Sequence, residues 1–224
     1  MADLIITIDG PAASGKSTIA RLLAQRLKVS FLDTGAMYRA VTLAAMQAGI
    51  DMADENKLLD ILQKTKFQFA VKENKMTASI DGTDVTSRIR QPDVTANAHF
   101  IASAPKIRAK LVQMQRQFAA NEEKIITDGR DQGTVAFPDA DIKFFLTADP
   151  GERARRRQAE LTATSGAETL EKIQSEIEKR DRSDESRAVG PLKPAEDAIV
   201  IDTTDLTIEQ TVEKVADYVE EKCP

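Results

Sequence analysis

Apolar positions fall into two rhythms along this chain. Residues 4–8, Leu4-Ile5-Ile6-Thr7-Ile8, form an almost unbroken apolar run, as expected of a strand buried on both faces of a parallel sheet. Helical spacing follows over 15–27, then a short second strand at 29–32 and a helix over 36–47 closed by Gly49. After residue 50 the rhythm changes. Residues 57–64 predict a short helix, whereas 67–71 and 76–80 alternate as in half-buried strands, with Glu73-Asn74 and Asp81-Gly82-Thr83 as turns. Pro105 opens a helix to about 120. Strands are expected at 123–127, 142–146 and 198–201, and helices from Pro150, over 170–184 and over 208–221.

Strands alternating with helices at both ends predict an α/β fold, a central parallel sheet flanked by helices. The meander in the middle reads as an inserted small antiparallel sheet. We therefore expect one domain over 1–224: a core of about 1–50, 101–150 and 190–224, an insert of about 50–100 and a helical lid over about 151–168. The small polar stretch 161–166 within that lid is expected to be mobile.

Composition narrows the function classes. The 224 residues are 42% hydrophobic and 30% charged, ordinary for a globular protein, and no apolar run approaches the roughly 18 residues of a membrane span. A net charge of −5 argues against a nucleic-acid binder. The start Met1-Ala2-Asp3 is acidic where a signal peptide would be basic, and the single cysteine, Cys223, cannot form an internal disulfide, so a cytoplasmic location is expected. With no obvious apolar interface stripe, a monomer is expected.

The first strand ends in Gly10-Pro11-Ala12-Ala13-Ser14-Gly15-Lys16-Ser17-Thr18. This is the G-x-x-x-x-G-K-[ST] phosphate loop in its required place between strand and helix, so the fold expected is that of the P-loop NTPases. Glycines let successive N–H groups curl toward phosphate oxygens, and the helix start adds its positive dipole end. Lys16 can reach the β- and γ-phosphates of ATP, and the Ser17 hydroxyl can ligate Mg²⁺.

Arginine placement extends the reading. Arg153, Arg156 and Arg157 share one helical face, while Arg155 points elsewhere. Beside a flexible stretch they suit a lid over a triphosphate, with Arg153 and Arg157 at the transferring group and Arg156 on ATP. Arg180, Asp184 and Arg187 form a second stripe if their helix continues. Tyr38-Arg39 stands at the mouth of a βα turn, and Arg130-Asp131 lies beyond a strand's carboxyl end, where open sheets bind ligands. Together with Lys16 this is more cation than one ATP·Mg needs. A nucleoside monophosphate is already a nucleophile at neutral pH, and what it needs is cations that bring two phosphates into line. The acceptor is therefore expected to be a phosphate.

These motifs, with Asp33-Thr34-Gly35-Ala36-Met37-Tyr38-Arg39, Asp128-Gly129-Arg130-Asp131-Gln132-Gly133-Thr134 and residues 180–191, closely resemble in order and spacing the bacterial cytidylate kinase family over essentially the whole chain. The resemblance implies phosphorylation of CMP and dCMP by ATP with Mg²⁺. It further implies that Thr34, Arg39 and Arg130 hold the acceptor phosphate or its surroundings, that Arg108 and Asp131 read the cytosine edge, and that Arg180, Asp184 and Arg187 contact ribose and phosphate. Two positions depart from it: His99 stands where the family often has a small hydroxyl residue, and Ser17 where some relatives carry glycine. Asp128 can orient a metal-bound water or stabilise the turn at Gly129. The competing readings are a P-loop kinase for UMP, dTMP or a hydroxyl acceptor, and a regulatory ATPase; against the latter, the chain has no N-K-x-D guanine signature.

Overall fold

The computed structural model describes residues 2–72, 75–162 and 169–222. Its elements run β1 (Leu4–Asp9), α1 (Lys16–Leu27), β2 (Ser30–Asp33), α2 (Thr34–Gln47), α3 (Glu55–Lys64), β3 (Phe67–Lys72), β4 (Lys75–Ile80), β5 (Thr83–Asp84), α4 (Pro92–Ser103) and α5 (Pro105–Ala119). They continue as β6 (Lys124–Gly129), β7 (Ile142–Thr147), α6 (Pro150–Thr162), α7 (Leu170–Glu185), β8 (Ile199–Asp202) and α8 (Ile208–Lys222). Within the expected lid, residues 163–168 lie outside the described residues, as do Cys223 and the Glu73-Asn74 turn.

Five strands form the central sheet in the order β2-β6-β1-β7-β8, and every pairing is parallel. Alternation along β1 divides the core between the two faces. Ile6 and Ile8 pack with α1, β7 and α8 through Ile19, Leu23, Phe144 and Val215, while Ile5 packs with Leu32, Met37 and Ile125 on the other face. The side chains of Ile6, Ile8, Leu23 and Leu32 are fully buried. Each stabilises the platform by about 1.5–3 kcal/mol through burial alone.

The register sets Asp9, at the end of β1, opposite Gly129 of β6 and Phe145 of β7. The phosphate loop after β1 and the 128–131 loop after β6 therefore emerge side by side at the sheet's carboxyl edge.

The small sheet β3-β4-β5 is antiparallel, as its alternation predicted. It has no core of its own: Met76, Ala78, Ile80, Val85 and Ile89 join the same apolar cluster as Leu32, Met37 and Ile125. Helix α4 and a single 3₁₀ turn, Arg88–Arg90, were not anticipated. Helix α2 begins at Thr34 rather than 36, because the Asp33 carboxylate caps it by accepting from the Ala36 amide at 2.9 Å. Among the described residues no helix is long and apolar enough to cross a membrane.

Candidate active site

Backbone conformation shapes the phosphate loop. A Cβ at Gly10 would run into the Leu146 carbonyl of β7, so only glycine lets the loop leave the sheet this closely. Ala13 sits in the left-handed region at φ 58°, a strain of about 1–2 kcal/mol for a residue with a Cβ. Gly15 opens α1 at φ 87°, and no side chain caps that helix. Its first amides are thus left without a side-chain cap, in an arrangement that suits an anion.

Lys16 is 7% exposed, and its ammonium donates to the Pro11 carbonyl at 3.1 Å. Burial, reinforced by the nearby charges of Arg130 and Arg180, brings its pKa down to about 7. Ser17 donates its hydroxyl to Asp128, whose carboxyl is raised to about 6 by burial and by the charge of Asp33. The other Asp128 oxygen, Oδ1, is buried without a hydrogen-bond partner. Among the described residues there is no cluster of three or more acidic, histidine or cysteine ligands. One hydroxyl and one carboxylate, the latter with an unpartnered oxygen, beside a phosphate loop fit Mg²⁺, which binds through few protein oxygens plus substrate phosphates. Asp128 thus reaches toward the phosphate loop.

Across the cleft, carboxylates hold the arginines in place. Asp33 accepts from Arg39 at 3.3 Å and from Arg90 at 2.8 Å. Burial alone would raise its pKa, but Arg39 and Arg90 hold it below the ordinary range. Thr34 donates its hydroxyl to the Asp128 carbonyl at 2.6 Å, tying α2 to β6. Arg130 donates from Nε to Asp184 at 2.8 Å and from Nη1 to the Gly129 carbonyl at 3.2 Å. Asp184 also accepts from Arg187, which lies past the end of α7 yet still joins the stripe expected of it. Burial opposes ionisation of Asp184, and Arg130 and Arg187 overcome it, so its pKa is lowered. Arg180 is exposed, yet the protein crowded around it, with the charge of Arg130, draws its guanidinium down to about 10. Nε of Arg39 and Nε of Arg187 are buried without a partner, two donors held in reserve.

Deeper in the cleft, Arg108 and Asp131 form an ion pair with side-chain exposures of 3% and 4%. The Arg108 guanidinium lies 5.7 Å from the centre of the Tyr38 ring, and burial pushes the Tyr38 phenol up to about 12. Gly190, at φ 63°, passes directly against this pair. His99 is exposed; its Nδ1 lies 2.7 Å from the Ala96 carbonyl of its own helix, and its ring rests on Phe100.

The three lid arginines differ in their commitments. Arg157 pairs with Glu160 at the surface. Arg156 reaches the hydroxyl and carbonyl of Thr203 after β8. Arg153 is buried, paired with Asp181 of α7 and bonded to the Ala12 carbonyl, so its charge is answered within the protein. Asp181, Arg90 and Asp9 are site-shaping residues that the motifs did not single out. Asp9 accepts from the Gln132 and Gly133 amides at 2.9 and 2.8 Å, anchoring the loop that carries Arg130 and Asp131. Only its place at the end of the first strand could have marked it.

A phosphate loop on a five-stranded parallel sheet, with a cluster of arginines across the cleft, is the architecture of an α/β P-loop nucleotide-binding protein. The cytidylate kinase family model matches residues 6–221. The cytidylate kinase of Lactiplantibacillus plantarum is 44% identical over 98% of this chain and 96% of its own, and that of Leuconostoc mesenteroides is 44% identical over 98% of each. The chain belongs to the cytidylate kinase family. An uncharacterised protein from Eubacterium ventriosum shares the fold at a TM-score of 0.52 and 14% identity, covering 98% of this chain and 99% of its own.

Proposed function

We propose that this protein transfers the γ-phosphoryl group of ATP to CMP or dCMP, giving ADP and CDP or dCDP. The observation that carries this reading is that Lys16 lies within the fields of Arg130 and Arg180, so the donor loop and the arginine cluster share one cleft. The cleft's carboxylates Asp33 and Asp184 are each bound by two arginines, and Asp128, which keeps one unpartnered oxygen, sits against Ser17 at the metal position, so neither Asp33 nor Asp184 serves as a free base for a hydroxyl acceptor. A phosphate acceptor needs none.

In this reading ATP lies on the loop amides of residues 10–18, and Lys16 exchanges the Pro11 carbonyl for phosphate oxygen. Among the described residues Arg157 is held by a surface pair with Glu160 worth about 0–1 kcal/mol, a contact weak enough to exchange for an inward one, with Arg156 beside it. Ser17 and Asp128 would hold Mg²⁺, which supplies positive charge to the phosphates when bound. Thr34, Arg39 and Arg130 position the acceptor phosphate, and Arg180, Asp184 and Arg187 its ribose side. Tyr38 backs Arg108 and Asp131, which read the base: Asp131 can accept from the exocyclic amine that cytosine has and uracil lacks. The protein is proposed to act as a cytoplasmic monomer without a nucleic-acid partner, a reading supported by its net charge of −5 and single cysteine.

Incubation with ATP·Mg and CMP, followed by chromatography, tests the reaction. Equal amounts of ADP and CDP are expected. ADP formed without CDP would make the protein a hydrolase and overturn the proposal.

A further inference from the structure

We propose that Arg153 and Asp181 form a positioning clamp on the phosphate loop, acting on ATP only through residue 12. Both polar groups of the Ala12 backbone end on this one pair. The Ala12 amide donates to Asp181 Oδ1 at 3.0 Å, and the Ala12 carbonyl accepts from Arg153 Nη1 at 3.1 Å. The same Nη1 pairs with Asp181 Oδ2, and Arg153 Nε donates to the Ala148 carbonyl at 3.1 Å. Both side chains are buried, and the Ala12 methyl packs with Ala154, Ile173 and Ile177 of α6 and α7. Residue 12 is therefore gripped by charge and by packing at once.

What the grip holds is the residue next to it. Ala13 is the non-glycine residue of the loop in the left-handed region, a conformation that persists only where its surroundings impose it. The loop's own sequence does not impose it: Ala13 stands between Ala12 and Ser14, and alanine disfavours the left-handed region. A buried charge pair fixed to the preceding residue does. The pair also joins the donor loop to α7, which carries Arg180 and Asp184 on the acceptor side. Arg153 thus differs from Arg156 and Arg157 on the same face, whose partners lie at the surface or after β8.

The inference rests on ATP binding in the loop and not on the identity of the acceptor. Affinity for ATP·Mg is measured by calorimetry without acceptor for Asp181→Asn, Arg153→Met and the double variant, with urea midpoints recorded in parallel. Asp181→Asn keeps the shape and the acceptor for the Ala12 amide and removes the charge that holds Arg153, so it is the variant surest to fold. It should weaken ATP at least tenfold. The double variant should fall within threefold of the weaker single, since both residues act through one peptide. Losses that multiply would place Arg153 independently on the phosphates and overturn the clamp. A lowered urea midpoint with unchanged ATP affinity in Asp181→Asn would reduce the pair to a structural contact and overturn it equally. Wild-type protein that binds ATP but ignores CMP would undo the acceptor assignment while leaving this comparison intact.

Discussion

Replacing Gly190 with alanine probes the Arg108–Asp131 pair, proposed to read the base, without deleting either of its charged groups. A Cβ there would collide with Asp131 Oδ2 and Arg108 Nη2, and φ is 63°. The left-handed strain alone is about 1–2 kcal/mol. The collision adds to it, because the pair is almost wholly buried and cannot step into solvent. Full rupture of a buried pair costs about 3–5 kcal/mol, so a displaced pair falls below that and the sum lies between about 2 and 5 kcal/mol. The whole of it appears as stability: at about 2–4 °C per kcal/mol for a chain of this size, thermal unfolding should drop by at least about 4 °C. Displacement of the pair also alters recognition. Initial rates with CMP and UMP, at saturating ATP·Mg and below the new midpoint, should show kcat/KM for CMP at least tenfold lower. UMP should lose less, and the KM for ATP should change less than twofold. A lower midpoint with an intact CMP-to-UMP ratio would show that the Arg108–Asp131 pair does not read the base.

Other perturbations address each part of the cleft. Lys16→Ala should cut kcat by about 10²-fold or more, read in a coupled ADP assay, by removing charge stabilisation of the transferring group. Lys16 also predicts a pH effect. With a folded pKa of about 7 against 10.5 unfolded, the unfolded chain holds the extra proton between those values, so Lys16 detracts from stability below pH 7 and less so as pH rises. Lys16→Met should therefore raise the urea midpoint at pH 6 to 7, and a lowered midpoint would contradict this. For the same reason, ATP binding at pH 8 should take up a proton, seen as a buffer-dependent binding enthalpy. Arg130→Ala should raise the KM for CMP far more than that for ATP. Asp131→Asn should narrow the CMP-to-UMP preference at least tenfold in kcat/KM.

Much of this cleft was legible because its chemistry is written in contiguous motifs. The phosphate loop, the Asp33–Arg39 turn and the 128–134 loop each follow a strand, and parallel register brings strand ends together. What stayed hidden was pairing across distance. No local pattern says that Arg153 meets Asp181 from 28 positions away or that Arg90 meets Asp33 from 57. Helical spacing put Arg153 on one face with Arg156 and Arg157, yet their partners are Asp181 of α7, Thr203 after β8 and Glu160 at the surface, so three equivalent positions received three environments. Helix α4 was missed although Pro92 at its start and Asp93 in its first turn are helix-opening residues; its small, weakly periodic side chains gave no stripe to read. The start of α2 moved because Asp33, seen as part of a turn, is that helix's cap.

The central claim is that this cleft accepts a cytidine monophosphate. Its most direct test is the rate of ADP release from ATP·Mg with CMP, dCMP, UMP, AMP and dTMP offered in turn. Strong stimulation by CMP and dCMP, at least tenfold in kcat/KM above the other three, is predicted. A rate that no monophosphate alters would contradict the claim.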